Sequence, residues 1–252
     1  MRTKRKTRVS FSQGVVDIAI PRSWSELTQR ELLSMCHLLA SVSRESVPLM
    51  AFALLSGMRV LYRRGSKFAC RWRTPEGAAM AWVDPACLAE LIAPLDFLLE
   101  PGNEPVRLDK LRKCEAVDAM LLGVPFGTYL KVENLYQGFL KNKHPEALEE
   151  IARLLYPGIK FKSLKPFEQV NVMRWVVQIK NMFSVEFSHF FQPAAADKEI
   201  SMLEVMNCEV RALTGGDVTK EDQIMSIDCW RALTELDFLA KEAEESKRNK
   251  KS

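Results

Sequence analysis

Apolar residues recur at helical spacing through most of the chain, and this pattern predicts a mainly α-helical protein. The clearest case covers residues 219–246, where Thr219 with Asp222 predicts a capped start. Acids and lysines occupy the other side of this predicted helix. Its apolar stripe comprises Ile224, Ile227, Trp230, Leu233 and Leu236, widened by Met225, Cys229 and Leu239. One long amphipathic helix is therefore expected at this end of the chain.

Other helix boundaries are predicted from capping residues, prolines and glycines. Thr28 with Glu31 predicts the start of the first helix, Gly57 the end of the second, and Asp84 before Pro85 the start of the third. The predicted second helix covers residues 45–56. Later helices are expected over residues 108–122, 128–141, 146–155, 167–183 and 197–213.

A change to two-residue alternation predicts β structure in the N-terminal part. Residues 58–62 and 67–73 flank a turn containing Gly65, which is typical of a hairpin, and residues 78–83 fit a third strand. Residues 9–20 predict one or two short strands around Gly14. The expected fold is a multi-helix globular protein with a small inserted antiparallel hairpin or meander.

Three prolines and a glycine within residues 94–105 predict an irregular crossing between two regions. The predicted organisation has four parts. They are a basic disordered tail over residues 1–8, an α+β region over 9–105 with its hairpin near 58–83, an all-helical region over 106–246, and a basic tail over 247–252. Whether the two central regions are one domain or two stays open.

Charge is concentrated at the two ends. The net charge is +4, with 36 basic and 32 acidic residues. Nine of the basic residues lie at the termini, at positions 2, 4, 5, 6, 8, 247, 248, 250 and 251. Without them, 27 basic residues face 32 acidic ones, so the body is acidic. Such tails suit either solvated ends or contact with phosphates or an acidic partner.

Composition indicates a soluble cytoplasmic protein. The hydrophobic share is 47%, and no apolar run approaches the roughly 18 residues of a membrane span. The basic N-terminus lacks a following apolar segment, so no secretory signal is expected. Six cysteines at irregular spacing, without a C-x-x-C pair, predict reduced thiols.

Catalytic and metal-binding motifs are not evident in the sequence. Cys36 and His37 are neighbours on a predicted helix and would diverge by about 100°. His144 and His189 lack ligand spacing, and the glycines at 215–216 lack a Walker lysine. We therefore expect a protein that is not an enzyme and that uses no cofactor or metal.

A cleft that gathered carboxylates would reverse this expectation. Glu133, Glu149 and Glu150 are the candidates from the sequence. Acids clustered in a cleft with raised pKa values are typical of catalytic sites.

Nucleic-acid binding is the alternative function, and it rests on the hairpin and the basic N-terminal tail. The hairpin's candidate contacts are Arg63, Arg64, Lys67, Arg71 and Arg73, interleaved with Tyr62, Phe68 and Trp72. Cations bind phosphates and aromatic rings stack on bases. A hairpin with one apolar face packed on helices and arginines facing water explains the same alternation.

Protein binding is the first function that the pattern favours. Phe190 and Phe191 lie outside the periodic region, where an exposed aromatic pair would anchor a partner. On the last helix, Trp230, Leu233 and Leu236 are the expected partner contacts. Amphipathic helices also pack into their own domains, so the interpretation that these three residues belong to the core stays open.

Four phrases carry a family resemblance: IPRSWSELT at residues 20–28, YQGFL at 136–140, FFQP at 190–193 and RALTGGDVTK at 211–220. Together they resemble proteins from the tail modules of tailed phages and prophages, of the tail assembly chaperone or adaptor type. The resemblance implies a factor of virion assembly in the host cytoplasm. Its partner would be a tape-measure or tail-tube protein whose apolar surface it shields. The resemblance assigns no catalytic or ligand residues.

Overall fold

The computed structural model describes residues 6–11, 14–74, 77–192 and 201–249, and the chain divides into two compact units, Met1–Gly102 and Asn103–Ser252. The division falls inside the proline-rich segment 94–105. The mainly α fold with a small antiparallel sheet is confirmed. Within the described residues, no helix is long and apolar enough to cross a membrane.

The first unit begins with two antiparallel strands, β1 (Lys6–Phe11) and β2 (Gly14–Ala19). The strand pair predicted around Gly14 is therefore present. The predicted tail over residues 1–8 is wrong for positions 6–8, since these residues continue the ladder and pair with positions 17–19. Residues 1–5 lie outside the described part of the chain.

The helices of the first unit begin and end at local signals. Helix α1 (Gln29–Ser41) starts with a capping box, in which Thr28 N donates to Glu31 Oε2 (2.9 Å) and Glu31 N to Thr28 Oγ1 (3.3 Å). Helix α2 (Val47–Ser56) ends at Gly57, whose φ of 66° favours glycine. The predicted start at residue 45 is two residues early, because Arg44–Ser46 form a 3₁₀ turn.

A three-stranded meander follows, with β3 (Arg59–Arg64), β4 (Lys67–Thr74) and β5 (Gly77–Val83) hydrogen-bonded in that order. Helix α3 (Pro85–Ile92) comes next, and Asp84 caps it by accepting from Cys87 N (2.9 Å). The hairpin, its third strand and this helix start all agree with the sequence pattern.

The second unit is helical after residue 125. Its helices are α4 (Phe126–Asn142), α5 (Pro145–Leu155), α6 (Pro166–Glu186), α7 (Met202–Thr214), α8 (Glu221–Ser226) and α9 (Cys229–Asn249). Helix α7 is capped by Ser201, whose hydroxyl accepts from Glu204 N. The start predicted at Asp197 lies outside the described residues. Residues 247–249 continue α9, so the predicted C-terminal tail is wrong at those positions, and residues 250–252 are not described.

The helix predicted over residues 108–122 is not formed. Two short strands, β6 (Lys110–Leu111) and β7 (Cys114–Glu115), stand there instead, joined through the left-handed residues Arg112 and Lys113. Leu108 N donates to Asn171 Oδ1 of α6 (3.0 Å). Leu108, Leu111 and Leu121 are buried by tertiary packing, while Met120 and Leu122 are exposed, so the apolar spacing of this segment imitates a helix without producing one.

The C-terminal helix predicted over 219–246 is interrupted. Ile227 is extended (φ −70°, ψ 160°) between α8 and α9. Phe126 N donates to Ile227 O and Cys229 N to Val124 O, both at 2.8 Å. We call this contact between residues 123–126 and 227–229 the junction. Backbone bonds to a distant segment replace helical ones here, and this breaks the helix.

Side-chain capping also differs from the prediction at this end of the chain. Thr219 does not cap a helix, because its N–H and hydroxyl both donate to Asp217 Oδ1. Asp228 supports the junction, since its Oδ2 accepts from Gly123 N (2.6 Å) and its Oδ1 from Arg231 N (3.1 Å). The second of these bonds caps the start of α9.

Gly127 tests how tightly the junction packs. A Cβ on this residue would lie 3.0 Å from Met225 Cε and 3.1 Å from Met225 O. We expect Gly127→Ala to lower the free energy of unfolding by about 1 kcal/mol, because moving close-packed atoms apart costs about 1–3 kcal/mol and outweighs the gain of up to about 1 kcal/mol from replacing a helical glycine. Urea unfolding of the full chain measures this change.

Gly138→Ala is the matched control. Gly138 lies on the same helix, and a Cβ there meets no atom within 4 Å. This substitution should raise the free energy of unfolding by about 0.5–1 kcal/mol, because glycine is a poor helix former. Equal effects of the two substitutions would show that the approach of Met225 to α4 does not constrain the fold.

Candidate functional site

The second unit carries an open groove of about 630 Å³ between α4, α6, α7 and α9. Most of its wall is apolar and comes from α7, α9 and the segment after α6. The apolar wall residues are Phe190, Phe191, Met202, Val205, Ala212, Leu236, Leu239 and Ala240. An apolar surface of this kind suits the side chains of another molecule.

Asp237 of α9 holds the two phenylalanines at the groove. The segment after α6 turns back, and its backbone N–H groups at His189 and Phe190 donate to Asp237 Oδ1 (2.8 and 2.9 Å). The rings of Phe190 and Phe191 meet edge to face, with centroids 4.8 Å apart. The pair is half-buried, so part of each residue faces the groove.

Helix α9 is fixed by aromatic packing on its other side. The ring of Trp230 meets Phe183 and Phe187 at centroid distances of 5.4 Å, and its Nε1 donates to Met120 O (2.6 Å). Leu233 is fully buried. Both residues thus hold the unit together in this structure and do not line the groove.

Three of the five predicted partner contacts are brought together. Phe190, Phe191 and Leu236 line the groove, although Leu236 is only 3% exposed and contributes little open surface. Trp230 and Leu233 act indirectly, because they place the helix that carries Leu236. Asp237, which orients the phenylalanines, was not among the predicted residues, and no local pattern marks it.

The floor of the groove is polar. Lys180 Nζ forms an ion pair with Glu133 Oε1, which also accepts from Gln137 Nε2 (2.8 Å). Glu209 of α7 lies beside this pair. Its Oε2 is buried, and no hydrogen-bond donor reaches it from the described part of the chain. The floor therefore combines a satisfied carboxylate with an unsatisfied one.

Burial is the main reason that the pKa of Glu209 is raised to about 7. The carboxylate of Glu133 raises this pKa further, while Lys180 acts in the opposite direction. The pKa of the buried Tyr129, on the same floor, is raised well above its usual value, first by burial and then by both carboxylates. A carboxyl group with a pKa near neutrality can exchange a proton or pair with a cation.

The carboxylate cluster suggested by the sequence is different in composition. Glu133 is at the groove, but Glu149 accepts from Leu164 N (3.2 Å) and Glu150 pairs with Arg153. Neither of these two residues lines the groove. Glu209 takes the place beside Glu133.

The burial of Glu209 on the groove side of α7 could have been predicted from the spacing of its neighbours in the sequence. Met202, Val205, Glu209 and Ala212 follow at intervals of three and four residues, so one carboxylate interrupts an apolar helix face. On that face a charged residue is buried unless the face is open to solvent. Its neighbours Glu133 and Lys180 lie on α4 and α6, so the spacing of residues within α7 could not predict them.

The remaining candidates from the sequence do not assemble into a site. Cys36 is fully buried while His37 is exposed, so the two side chains diverge as expected. In the described residues, no three His, Cys, Asp or Glu side chains are placed to hold a metal ion. None of the six cysteines, each of them described, forms a disulfide.

The hairpin presents a basic surface on the first unit. Arg63, Arg64, Lys67 and Arg71 are exposed, while the side chain of Arg73 lies outside the described part. Tyr62 is 54% exposed and Trp72 is buried. Strand β3 is exposed along its whole length, whereas β4 buries Ala69, Cys70 and Trp72. The hairpin therefore packs inward through β4 and turns its cations, together with Val60, Leu61 and Tyr62, to water.

Comparison with protein-family models, with curated proteins and with solved structures finds no match to this chain.

Ionisation of Glu209 should make the folded unit less stable above neutral pH. The folded pKa of about 7 exceeds the usual 4.5, so the favourable contribution is complete below about 4.5 and lost as pH rises through 7. The shift of this pKa from 4.5 to about 7 corresponds to a change of about 3 kcal/mol in the free energy of unfolding. We expect Glu209→Gln to flatten the pH dependence of urea unfolding between about pH 4.5 and pH 7.

Glu242→Gln is the charge-matched control, since Glu242 is exposed on α9. It should leave the wild-type pH dependence unchanged. The same slope in Glu209→Gln and wild type would mean that Glu209 is not buried in solution.

Proposed function

We propose that this is a non-enzymatic binding protein whose groove holds an apolar segment of a protein partner. The observation that supports the proposal is the meeting of Phe190, Phe191 and Leu236 on one open apolar groove. The unit that carries the groove has its own buried core, which includes Trp175, Phe183 and Leu233. An apolar surface left open on a packed unit has a ready use in covering a similar surface of another protein.

The shape of the groove suits an amphipathic helix. Helices α7 and α9 form its long walls, and an incoming helix can lay its apolar side chains between them. Each leucine or phenylalanine fully removed from water contributes about 1.5–3 kcal/mol. A few such anchors provide specific but reversible binding, as a factor that releases its partner during assembly requires.

The resemblance to phage tail-module proteins suggests the class of partner. A tape-measure or tail-tube protein exposes long apolar surfaces before it assembles. The proposed role is that of a tail assembly chaperone or adaptor in the host cytoplasm, shielding one such surface. The exposed charges around the groove would keep the complex in solution.

A photo-crosslinker tests the proposal in the native host. We expect p-benzoylphenylalanine at Ala240, on the groove wall, to give one defined protein adduct that survives a wash at about half-molar salt. The same crosslinker at Val185, which is 66% exposed and outside the groove, should not give that adduct. Equal adducts at both positions, or none, would contradict the proposal.

A substitution measures the energy of the anchor. With the purified partner, Phe191→Ala should weaken binding at least about tenfold, since aromatic anchors carry much of the energy of an interface. Val185→Ala should leave the affinity within about twofold. A wild-type affinity for Phe191→Ala would exclude the phenylalanine pair as an anchor.

Nucleic-acid binding is the second candidate function, supported by the exposed cations of the hairpin. Arg63, Arg64, Lys67 and Arg71 could contact phosphates, and Tyr62 could stack on a base. Two observations favour the first candidate. The ring of Trp82 already covers one edge of Tyr62 (centroids 5.6 Å apart), and the hairpin also exposes Val60 and Leu61.

Salt dependence separates the two functions. Binding of a single-stranded oligonucleotide through these cations would weaken steeply with salt, and the slope would fall by about 0.7 for each phosphate contact removed by Arg63→Ala or Lys67→Ala. We expect no salt-sensitive binding of this kind at physiological salt. Its detection, together with loss in both variants, would favour the hairpin as the working surface.

A further inference from the structure

We infer that the segment held in the groove presents one lysine or arginine among its apolar side chains, and that this cation pairs with Glu209. The inference rests on the proposed function and specifies the chemistry of the occupant. Its basis is the difference between the two carboxylates on the groove floor.

The floor has one more carboxylate than it has cations. Lys180 and Gln137 both bond to Glu133 Oε1, so that carboxylate is satisfied within the unit. Glu209 Oε2 is buried and receives no donor from the described residues. The titratable groups that line the groove around Glu209 are Tyr129, Glu133, Lys180 and Cys208. The ammonium of Lys180 bonds to Glu133 and acts on Glu209 only through its charge, so Glu209 has no hydrogen-bonded counterion among the described residues.

The charge at this point discriminates between possible occupants. A wholly apolar segment would cover Glu209 in its protonated form, which weakens the affinity for that segment by about tenfold for each pH unit above 7. An acidic side chain would be repelled by both carboxylates. A cationic side chain with a long apolar stem fits best, because its stem lies along the apolar wall and its head reaches the floor.

Binding of such a cation must be linked to protonation. The pKa of Glu209 is about 7 in the open groove, and a paired cation favours the ionised form and so lowers this pKa. The affinity for a cationic occupant should therefore rise as pH increases through 7. The affinity for a neutral apolar occupant should change in the opposite direction.

Two small probes that differ only in their head group test the inference on the full-length protein. n-Octylammonium and n-octanol share one alkyl chain, and both fit within about 630 Å³. Titrations followed by the NMR signals of Ala212 and Ala240 methyl groups report binding in the groove. We expect octylammonium to bind at least about tenfold more tightly than octanol at about pH 8.5, a preference that shrinks severalfold at about pH 5.5.

Glu209→Gln should abolish the preference at both pH values, while Glu242→Gln should retain it. The wild-type comparison between the two pH values gives the same information if the Gln variant does not fold. Equal binding of the two probes by the wild-type protein would overturn the inference and leave the groove as an apolar site. Failure of both probes to shift the groove methyl signals would overturn the proposed function itself.

Discussion

The architecture of the second unit depends on the junction between residues 123–126 and 227–229. Two backbone hydrogen bonds of 2.8 Å and the carboxylate of Asp228 join segments about a hundred positions apart. They end α8, start α9 and set the direction in which α9 leaves. Because the bonds lie against Gly127 and Met225, where little space remains, the helix start is held in position as well as bonded.

The groove follows from this placement of α9. Trp230, the residue after Cys229, packs against Phe183 and Phe187, which fixes the rotation of the helix. Seven residues further on, Asp237 bonds to the backbone that carries Phe190. One face of α9 therefore packs in the core. The adjacent face supports Phe190 and Phe191 and forms a wall of the groove. These contacts hold the wall within the unit, so a partner would meet a preformed surface.

The floor of the groove carries an unfavourable group, the buried carboxyl of Glu209, which the packing of the unit does not require. A buried carboxyl without a donor lowers the stability of the folded state once it ionises, and an apolar or amide side chain would remove that cost. Unfavourable groups of this kind concentrate where a protein binds or reacts. The edge strand β3 is arranged differently, since its exposed apolar residues 60–62 are flanked by arginines on both sides and it carries a register shift between Val60 and Tyr62. Both features disfavour pairing with another strand.

Local signals allowed much of the fold to be predicted from the sequence. Thr28, Asp84 and Gly57 mark helix ends through bonds or dihedral angles that involve residues only a few positions away. Alternation predicted the meander for the same reason, since each strand pairs with the next one along the chain. The predictions failed where a distant segment supplied the hydrogen bonds, as Asn171 does for Leu108 and Val124 for Cys229. The candidate site divides in the same way: a surface position for Phe190 and Phe191 could be expected from their place outside the helical pattern, and both are half-buried. Tertiary packing alone decided that Leu236 reaches the lining of the groove while Leu233 lies wholly in the core, and that Glu209 meets Glu133 and Lys180. Each of these contacts joins helices whose relative positions no local pattern specifies.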